Sequence, residues 1–417
     1  MGLAMSEGGS HYGDELRGCA GLLVASAIGL TAGMSATLFY SLGAFIPPLQ
    51  AEFGWSRGDI SLGASFLTIA IFVTGTIAGR LCDRHGAALV GAASLVAYGL
   101  ALILMAWLMA DIVHFWVGYF VIAILGVGST PIVLVRPITI YFVKARGIAL
   151  GIALTGAGIA GFWVPRLVAT VTELHGWREA YGALALVAIL AAPVVWLGFR
   201  NIPGRPRNPG VGAADGISHG EARRSSAYWL LSLMALAMAL GIAGVIVHLI
   251  PLFGDLGAGA MEAARIASIV GIASVVGRLV VGLVLDHFPC TVVSIAVLAL
   301  AAAGILLLWA FGLEYALQAT ILIGLAAGAE IDLLAYLTVT FFGHRNYGAI
   351  YGWQYSVFAL GYGFSPYFVG LLYGGFGGYE VPLLGSAVLL VGAAITCLWL
   401  PKTRPGGHSI PEGSMST

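Results

Sequence analysis

The chain has 417 residues, of which 59% are hydrophobic and only 9% are charged, and its mean hydropathy is +0.97. Soluble domains carry about 25% charged residues, so this composition excludes an ordinary water-soluble fold and predicts that lipid covers part of the surface. The 19 basic and 19 acidic residues balance, with no polybasic block or acidic tail, which argues against nucleic acid as a partner.

Residues 1–18 form a polar stretch without the basic start, short apolar core and small-residue cleavage site of a secretory signal. We therefore expect a cytoplasmic tail, with the first apolar run retained as a membrane span. Runs of about 20 apolar residues are needed to cross the hydrocarbon core. Twelve such runs lie near 19–46, 58–81, 87–109, 113–142, 146–172, 178–199, 226–253, 260–285, 290–311, 315–342, 346–373 and 379–400.

Residues 200–225 interrupt this pattern, because they are rich in Gly, Pro and charge and contain no apolar run. They predict a cytoplasmic linker between a six-span half, 19–199, and a second half, 226–400, with a cytoplasmic tail at 401–417. With both termini in the cytoplasm, thirteen of the 19 Lys and Arg residues fall in the tails and cytoplasmic loops, three lie within spans, and only Arg57, Arg178 and Arg265 fall in the outer loops. This positive-inside bias favours that orientation.

The loops after spans 2 and 8 repeat one pattern. Gly282 follows Gly79, and Asp286 follows Asp83, by the same 203 residues. Two copies in register indicate that the halves are parallel repeats. Gly79 would allow close helix packing, while Asp83 and Arg84 would interact with helix ends across the cytoplasmic face. We interpret the five residues as a conformational latch, the alternative for each copy being an ordinary capped turn.

The segment Gly79-x-Leu81-x-Asp83-Arg84-x-Gly86 resembles the signature loop of the major facilitator superfamily. The plan of twelve spans in two halves covers nearly the whole chain. The resemblance implies an all-α membrane protein with two pseudo-symmetric six-helix halves, working as a secondary transporter by alternating access. Such a carrier needs no cofactor, and we expect a monomer in the inner (plasma) membrane.

Within that superfamily the sequence looks most like the monocarboxylate and oxalate/formate porter group. The segments that carry this narrower resemblance are Phe53-Gly54-Trp55-Ser56, Arg146-Gly147-x-Ala149-x-Gly151, Gly176-Trp177-Arg178 and His248-x-x-Pro251. Arg278 falls where that group carries a substrate-binding arginine. Relatives that carry dicarboxylates place a lysine in span 11, whereas Tyr355-Ser-Val-Phe358 offers none, which argues against a site with two cationic anchors.

Ionisable residues at membrane depth are costly, so each is a functional candidate. Arg278 in span 8 can hold a carboxylate through two parallel hydrogen bonds, the alternative being a fixed salt bridge. Glu330 and Asp332 in span 10 are about 200° apart around the helix and cannot share a face. We expect one of them, Asp332 first, to pair with Arg278 and to couple proton movement, the alternative being that both support helix packing.

Arg136, beside Pro137 in span 4, is a second anion-site or gating candidate, with a snorkelling structural arginine as the alternative. Arg166, after Pro165 in span 5, is interpreted as structural or as part of a gate. Several polar aromatic and amide side chains are predicted to line the substrate path, although such residues more often serve packing or the membrane interface; they are Tyr40, His248, Tyr336, Gln354 and Tyr355.

These observations predict a carrier for a small organic anion, a monocarboxylate taken up with a proton. The first alternative is a proton-coupled exporter of drug-like or cationic compounds, against which the lack of a Gly-Pro-x-x-Gly-Gly stretch in span 5 argues. A non-transporting receptor on the same fold is the second. No phosphate-binding loop or catalytic motif is present, so neither an ATP-driven pump nor an enzyme is predicted. Four scattered cysteines predict no metal site.

Overall fold

The computed structural model describes residues 17–142, 146–200, 216–285, 287–343 and 347–400. Nearly all of these residues are helical. The helices are α1 Ala20–Ala32, α2 Met34–Phe53, α3 Arg57–His85, α4 Ala87–Leu108, α5 Ile112–Gly126, α6 Pro131–Leu134, α7 Arg136–Tyr141, α8 Arg146–His175, α9 Trp177–Arg200, α10 His219–Arg224, α11 Ser226–Asp255, α12 Ala260–Leu285, α13 Cys290–Phe311, α14 Ala316–Phe342, α15 Tyr347–Phe376 and α16 Glu380–Leu398.

Eleven helical stretches among the described residues are long and apolar enough to cross a membrane. One of them, Cys290–Phe342, has 53 residues, which would be about 80 Å of straight helix, far more than the hydrocarbon core of roughly 30 Å. It divides at Gly312, whose φ of 56° ends α13, and a 3-10 turn leads into α14. Divided there, the described chain contains the twelve predicted spans.

The break between predicted spans 3 and 4 also lies where the sequence places it. Asp111 caps the start of α5, and its carboxylate accepts a hydrogen bond from the His114 amide at 2.8 Å. This hydrogen bond lowers the pKa of the Asp111 carboxyl below its ordinary value. A capped turn thus separates α4 from α5.

Two of the spans are discontinuous. The first bends at Gly33, between α1 and α2, and the fourth is interrupted by a 3-10 turn at Val127–Ser129 before Pro131. Thr130 is extended, as expected for a residue that precedes proline. Pro137 lies in the first turn of α7, where proline is tolerated.

The two discontinuities meet. The Met34 amide, freed by the break, donates to Ser129 Oγ at 3.0 Å. A Cβ atom at Gly33 would overlap the Ser129 carbonyl oxygen, so the close approach requires glycine there. Irregular backbone at membrane depth is tolerated where neighbouring groups satisfy it in this way.

The contacts group the chain into two units, Met1–Ser41 with Ala70–Pro209 and Leu42–Ile69 with Gly210–Thr417. Helices α2 and α3 therefore each contribute to both units. The predicted linker at 200–225 divides the chain by its sequence repeat, whereas these units are defined by contacts between residues. The division into two six-span halves therefore stays a prediction.

The end of the predicted linker contains a short helix, α10, that the sequence analysis missed. Ser218 and Glu221 form a reciprocal capping box at its start. The Ile217 amide donates to the Phe342 carbonyl at 3.1 Å, and Gly216 pairs with Gly343 in an isolated antiparallel bridge. The Ser-x-x-Glu spacing was the available signal.

Candidate functional site

Arg278 of α12 and Asp332 of α14 form an ion pair. The distance from Arg278 Nε to Asp332 Oδ2 is 3.4 Å, and the same nitrogen donates to the Gly328 carbonyl oxygen at 3.3 Å. The two side chains are only 18% and 34% exposed. The expected ion pair between Arg278 and Asp332 is therefore present, whereas proton coupling by Asp332 stays a prediction.

The remaining donors of Arg278 are not used in this arrangement. Within the described part of the chain, neither of its two terminal guanidinium nitrogens makes a hydrogen bond, and the closest approach of Arg278 to Asp332 is through Nε. An arginine side chain has five N–H donors arranged as a rigid fork, which matches a carboxylate in bidentate geometry. The pair therefore leaves the carboxylate-binding edge of the guanidinium unoccupied.

Glycines bring α12 and α14 close together at the level of the pair. A Cβ atom at Gly277 would overlap the Leu325 backbone, and one at Gly328 would overlap the Ser274 backbone. Gly324, one turn before Gly328, likewise abuts Val270 and Ala273. Gly277 and Gly328 lie beside the charged residues in the sequence, but their contacts depend on the pairing of the two helices.

Glu330 lies on the opposite side of α14 from the ion pair, as its position around the helix predicts. It is 2% exposed, and its Oε1 atom is buried without a hydrogen-bond partner. Its neighbours along the helix, Ala326, Leu333 and Leu334, are buried and apolar. Among the described residues no basic side chain pairs with Glu330, so the two carboxylates occupy chemically different surroundings.

The other residues predicted for the substrate path are distributed more widely. Tyr336 is 41% exposed and Tyr355 is 42% exposed. Tyr40 is half-buried, and its ring packs against Phe39. Gln354 is fully buried, and its amide donates to the Tyr228 carbonyl oxygen of α11 at 2.9 Å. This contact serves helix packing, so a role for Gln354 in substrate contact gains no support here.

His248 is not at an exposed membrane interface. Its side chain is 1% exposed, Nδ1 lies 2.9 Å from the Tyr379 hydroxyl, and Nε2 lies 3.0 Å from both Ser61 Oγ and the Pro366 carbonyl oxygen. Its polar atoms are thus engaged by the protein. The interface alternative is wrong, and substrate contact by His248 stays a prediction that this arrangement does not support.

Arg136 and Arg166 belong to the first unit. Arg136 is half-buried as the first residue of α7. Arg166 in α8 stacks over the Phe162 ring at 3.9 Å, and its Nε atom is buried without a hydrogen-bond partner. Their predicted gating or anion-binding roles stay predictions.

The predicted cytoplasmic latch is described only in part, because Asp286 and the Asp83 side chain lie outside the described residues. Arg84 is exposed near the end of α3. A Cβ atom at Gly79 or at Gly282 would meet no described atom within 4 Å. Close helix packing is therefore not what these two glycines provide in this arrangement, and the latch itself stays a prediction.

Comparison with known proteins places this arrangement in a family. A sequence profile of the Major Facilitator Superfamily matches residues 28–353. Human monocarboxylate transporter 11 is 26% identical over 408 residues, which cover 92% of this chain and 84% of that protein. The uncharacterized MFS-type transporter YhjX of Escherichia coli K12 is 22% identical over 331 residues, covering 77% and 81%.

The fold has matches among solved structures. A bacterial homologue of the human lysosomal transporter Spinster, solved in an inward-facing and unoccupied conformation, has a TM-score of 0.73 to this chain. The match covers 93% of this chain and 96% of that one at 15% identity, so it concerns the fold alone. Because the superfamily profile spans most of the chain, this protein is a multi-pass membrane transporter, not an enzyme, and it belongs to the Major Facilitator Superfamily.

Proposed function

We propose that this transporter carries a small monocarboxylate together with a proton, by alternating access. The observation that carries the proposal is the Arg278–Asp332 pair, in which Nε is the atom closest to Asp332 and the terminal nitrogens have no hydrogen-bond partner among the described residues. A substrate carboxylate can bind those two nitrogens without first displacing Asp332. The similarity to proteins named monocarboxylate transporters supports this substrate class.

Charge balance links the anion to a proton. The empty site, with Arg278 positive and Asp332 negative, has no net charge. Binding a carboxylate adds one negative charge in an apolar surrounding, where uncompensated charge is costly. Protonation of Asp332 restores neutrality, and the proton leaves when the anion leaves. The empty and the fully loaded sites are then the two neutral forms that change conformation readily.

Residues on α12 and α14 set the geometry of this site. The Gly328 carbonyl fixes Nε of Arg278, and the glycine contacts between the helices keep Asp332 within ion-pair distance. A single arginine anchors one carboxylate, and span 11 supplies no lysine at Tyr355–Phe358. The site therefore favours monocarboxylates over dicarboxylates.

Thermal stabilisation of the purified protein by small molecules tests this function. A panel of monocarboxylates, dicarboxylates, amines and neutral drugs is compared on the native protein and on Arg278→Ala, with Arg265→Ala as a control that removes an exposed arginine elsewhere on α12. We expect monocarboxylates to raise the unfolding temperature of the native protein and the control only. Stabilisation by amines alone would favour the exporter alternative, and stabilisation of Arg278→Ala by carboxylates would reject Arg278 as the binding residue.

A further inference from the structure

A polar network joins the start of α3 to the end of α11 and to the segment between α15 and α16. Arg57 Nη2 and Nη1 contact the two carboxylate oxygens of Asp255 at 2.6 and 2.8 Å. Arg57 Nη1 also donates to the Tyr379 hydroxyl at 2.8 Å, and Nε donates to Gln50 Oε1 at 3.0 Å. The guanidinium lies 4.1 Å from the centre of the Tyr373 ring. All three guanidinium nitrogens of Arg57 are thus engaged.

The network continues from Tyr379 to His248, and its hydrogen-bond directions are defined. The Tyr379 hydroxyl oxygen accepts from Arg57, so its own O–H is available for His248 Nδ1, 2.9 Å away. On the other side of the ring, the Pro366 carbonyl can only accept, so Nε2 must carry the hydrogen. A neutral imidazole protonated at Nε2 satisfies both contacts, and the Ser61 hydroxyl completes the surroundings of that nitrogen.

Arg57 and Asp255 each lie at an electrostatically unfavourable helix end. Arg57 begins α3, where the helix dipole favours negative charge, and Asp255 ends α11, where it favours positive charge. The pair offsets both unfavourable positions, and Arg57 is only 10% exposed. Each charge interacts unfavourably with the dipole of its own helix, and the ion pair offsets this only while the two helix ends stay together.

The first turns of α3 pack directly on α15 below this network. Ser65 Oγ donates to the Gly363 carbonyl at 2.9 Å, and Ser65 is 1% exposed. A Cβ atom at Gly370 would lie 2.6 Å from Gly58 Cα, so the two backbones touch. The contact buries this face of α3 from Gly58 to Ser65.

We propose that the network of Arg57, Asp255, Tyr379, His248 and Ser61 is a gate latch that must open once in each transport cycle. By sequence, Arg57 and Ser61 belong to the first six-span half, and the other three belong to the second. Alternating access requires the halves to separate at one end of the path while the other end is closed. The positive-inside pattern places this end outside the cytoplasm. The inference rests on the alternating-access part of the proposed function.

This network also gives a function to two sequence segments that the substrate site leaves unexplained. Arg57 and Ser61 follow the Phe53-Gly54-Trp55-Ser56 segment, and His248 opens His248-x-x-Pro251. These segments are about 190 residues apart in the chain, since Ser61 and His248 are separated by 187 residues. In the latch, the residue directly after the first segment supplies the cation, and the first residue of the second segment supplies the buried imidazole.

The accessibility of a single cysteine tests the latch without any substrate. Ser65→Cys is introduced after the four native cysteines are replaced, and its labelling by a membrane-impermeant maleimide is followed in liposomes. We expect slow labelling with the latch intact and labelling at least about tenfold faster in Asp255→Asn and in Arg57→Gln. Arg265→Gln, which removes an exposed charge on the same predicted side, should leave the rate unchanged.

A second reporter separates opening of the latch from general loosening. Ser294→Cys lies buried in α13, outside the network, and should stay protected in all variants. Faster labelling at both positions, or a rate at Ser65→Cys within twofold of the intact latch, would overturn the inference. If the charge variants do not fold, Tyr379→Phe removes one hydroxyl and cuts the link between Arg57 and His248. At least threefold faster labelling is then expected, and an unchanged rate would overturn the latch.

The latch and the substrate assignment can fail separately. The labelling experiment contains no carboxylate, so its result does not depend on Arg278 or on the identity of the cargo. No thermal response of the native protein to carboxylates, together with faster labelling in the latch variants, would reject the anion assignment and keep the latch. A thermal response of the native protein to carboxylates, together with an unchanged labelling rate in the latch variants, would reject the latch alone.

Discussion

Arg278 and Asp332 approach each other most closely through Nε of Arg278, which lies 3.4 Å from Oδ2 of Asp332. The geometry is unlike that of Arg57 and Asp255, where two nitrogens contact two carboxylate oxygens at 2.6 and 2.8 Å. The terminal nitrogens of Arg278 make no hydrogen bond to a described residue, whereas both terminal nitrogens of Arg57 are hydrogen-bonded. This difference underlies the assignment of the first pair to binding and of the second to gating.

Replacement of Arg278 by lysine tests whether the shape of the guanidinium matters. Lysine keeps the charge but cannot offer two parallel N–H donors. We expect kcat/KM for monocarboxylate uptake to fall by about tenfold to a hundredfold, which corresponds to roughly 1.4–2.8 kcal/mol. Arg265→Lys is the matched control. Uptake by Arg278→Lys at the native rate would mean that this arginine is structural.

Asp332→Asn should separate anion movement from proton movement. With asparagine, the empty site keeps the positive charge of Arg278, and the anion-loaded site is neutral, so return of the empty carrier becomes unfavourable. Exchange of labelled for unlabelled anion across the liposome membrane should persist. A pH gradient should no longer drive accumulation, so the anion concentrations inside and outside should become about equal. Continued accumulation in this variant would place the coupling group elsewhere.

Glu330→Gln should be well tolerated if Asp332 is the coupling group. Glu330 is buried against apolar neighbours and has no basic partner among the described residues, so a neutral amide of the same shape introduces no unpaired charge. We expect proton-driven accumulation within about threefold of the native protein. Loss of accumulation with exchange retained would instead assign proton coupling to Glu330.

Gly328→Ala should disturb the ion pair by separating α12 from α14. The added methyl group would overlap the Ser274 backbone, and overpacking of this kind costs about 1–3 kcal/mol. We expect a lower unfolding temperature and weaker carboxylate stabilisation. Gly282→Ala is the control, because Gly282 also lies in α12 but no described atom lies within 4 Å of the new methyl group. It should change neither the unfolding temperature nor the carboxylate stabilisation. Equal effects of both substitutions would remove the positioning role of Gly328.

The spans and the ion pair could be predicted because each depends on local sequence or on the cost of charge in lipid. Apolar runs of membrane length define the helices, and the interruptions at Asp111 and Gly312 are capping and positive-φ positions that residue type alone reveals. Arg278 and Asp332 stand out since charge at membrane depth needs a partner. The angular separation of Asp332 and Glu330 follows from helix geometry, so their different surroundings were also foreseeable.

Only the tertiary structure revealed the Arg57–Asp255–Tyr379–His248 network. Arg57, Asp255 and Tyr379 lie at or beside helix ends, where charged and polar residues are expected to face water, so nothing in the local sequence marks them as partners. The Arg57–Asp255 pair joins residues 198 positions apart, and Arg57 and Tyr379 are 322 apart. The sequence by itself determined which segments cross the membrane and which charges need compensation there. Helix packing decided which ends meet, because that depends on close backbone contacts such as Gly58 with Gly370 and Gly328 with Ser274.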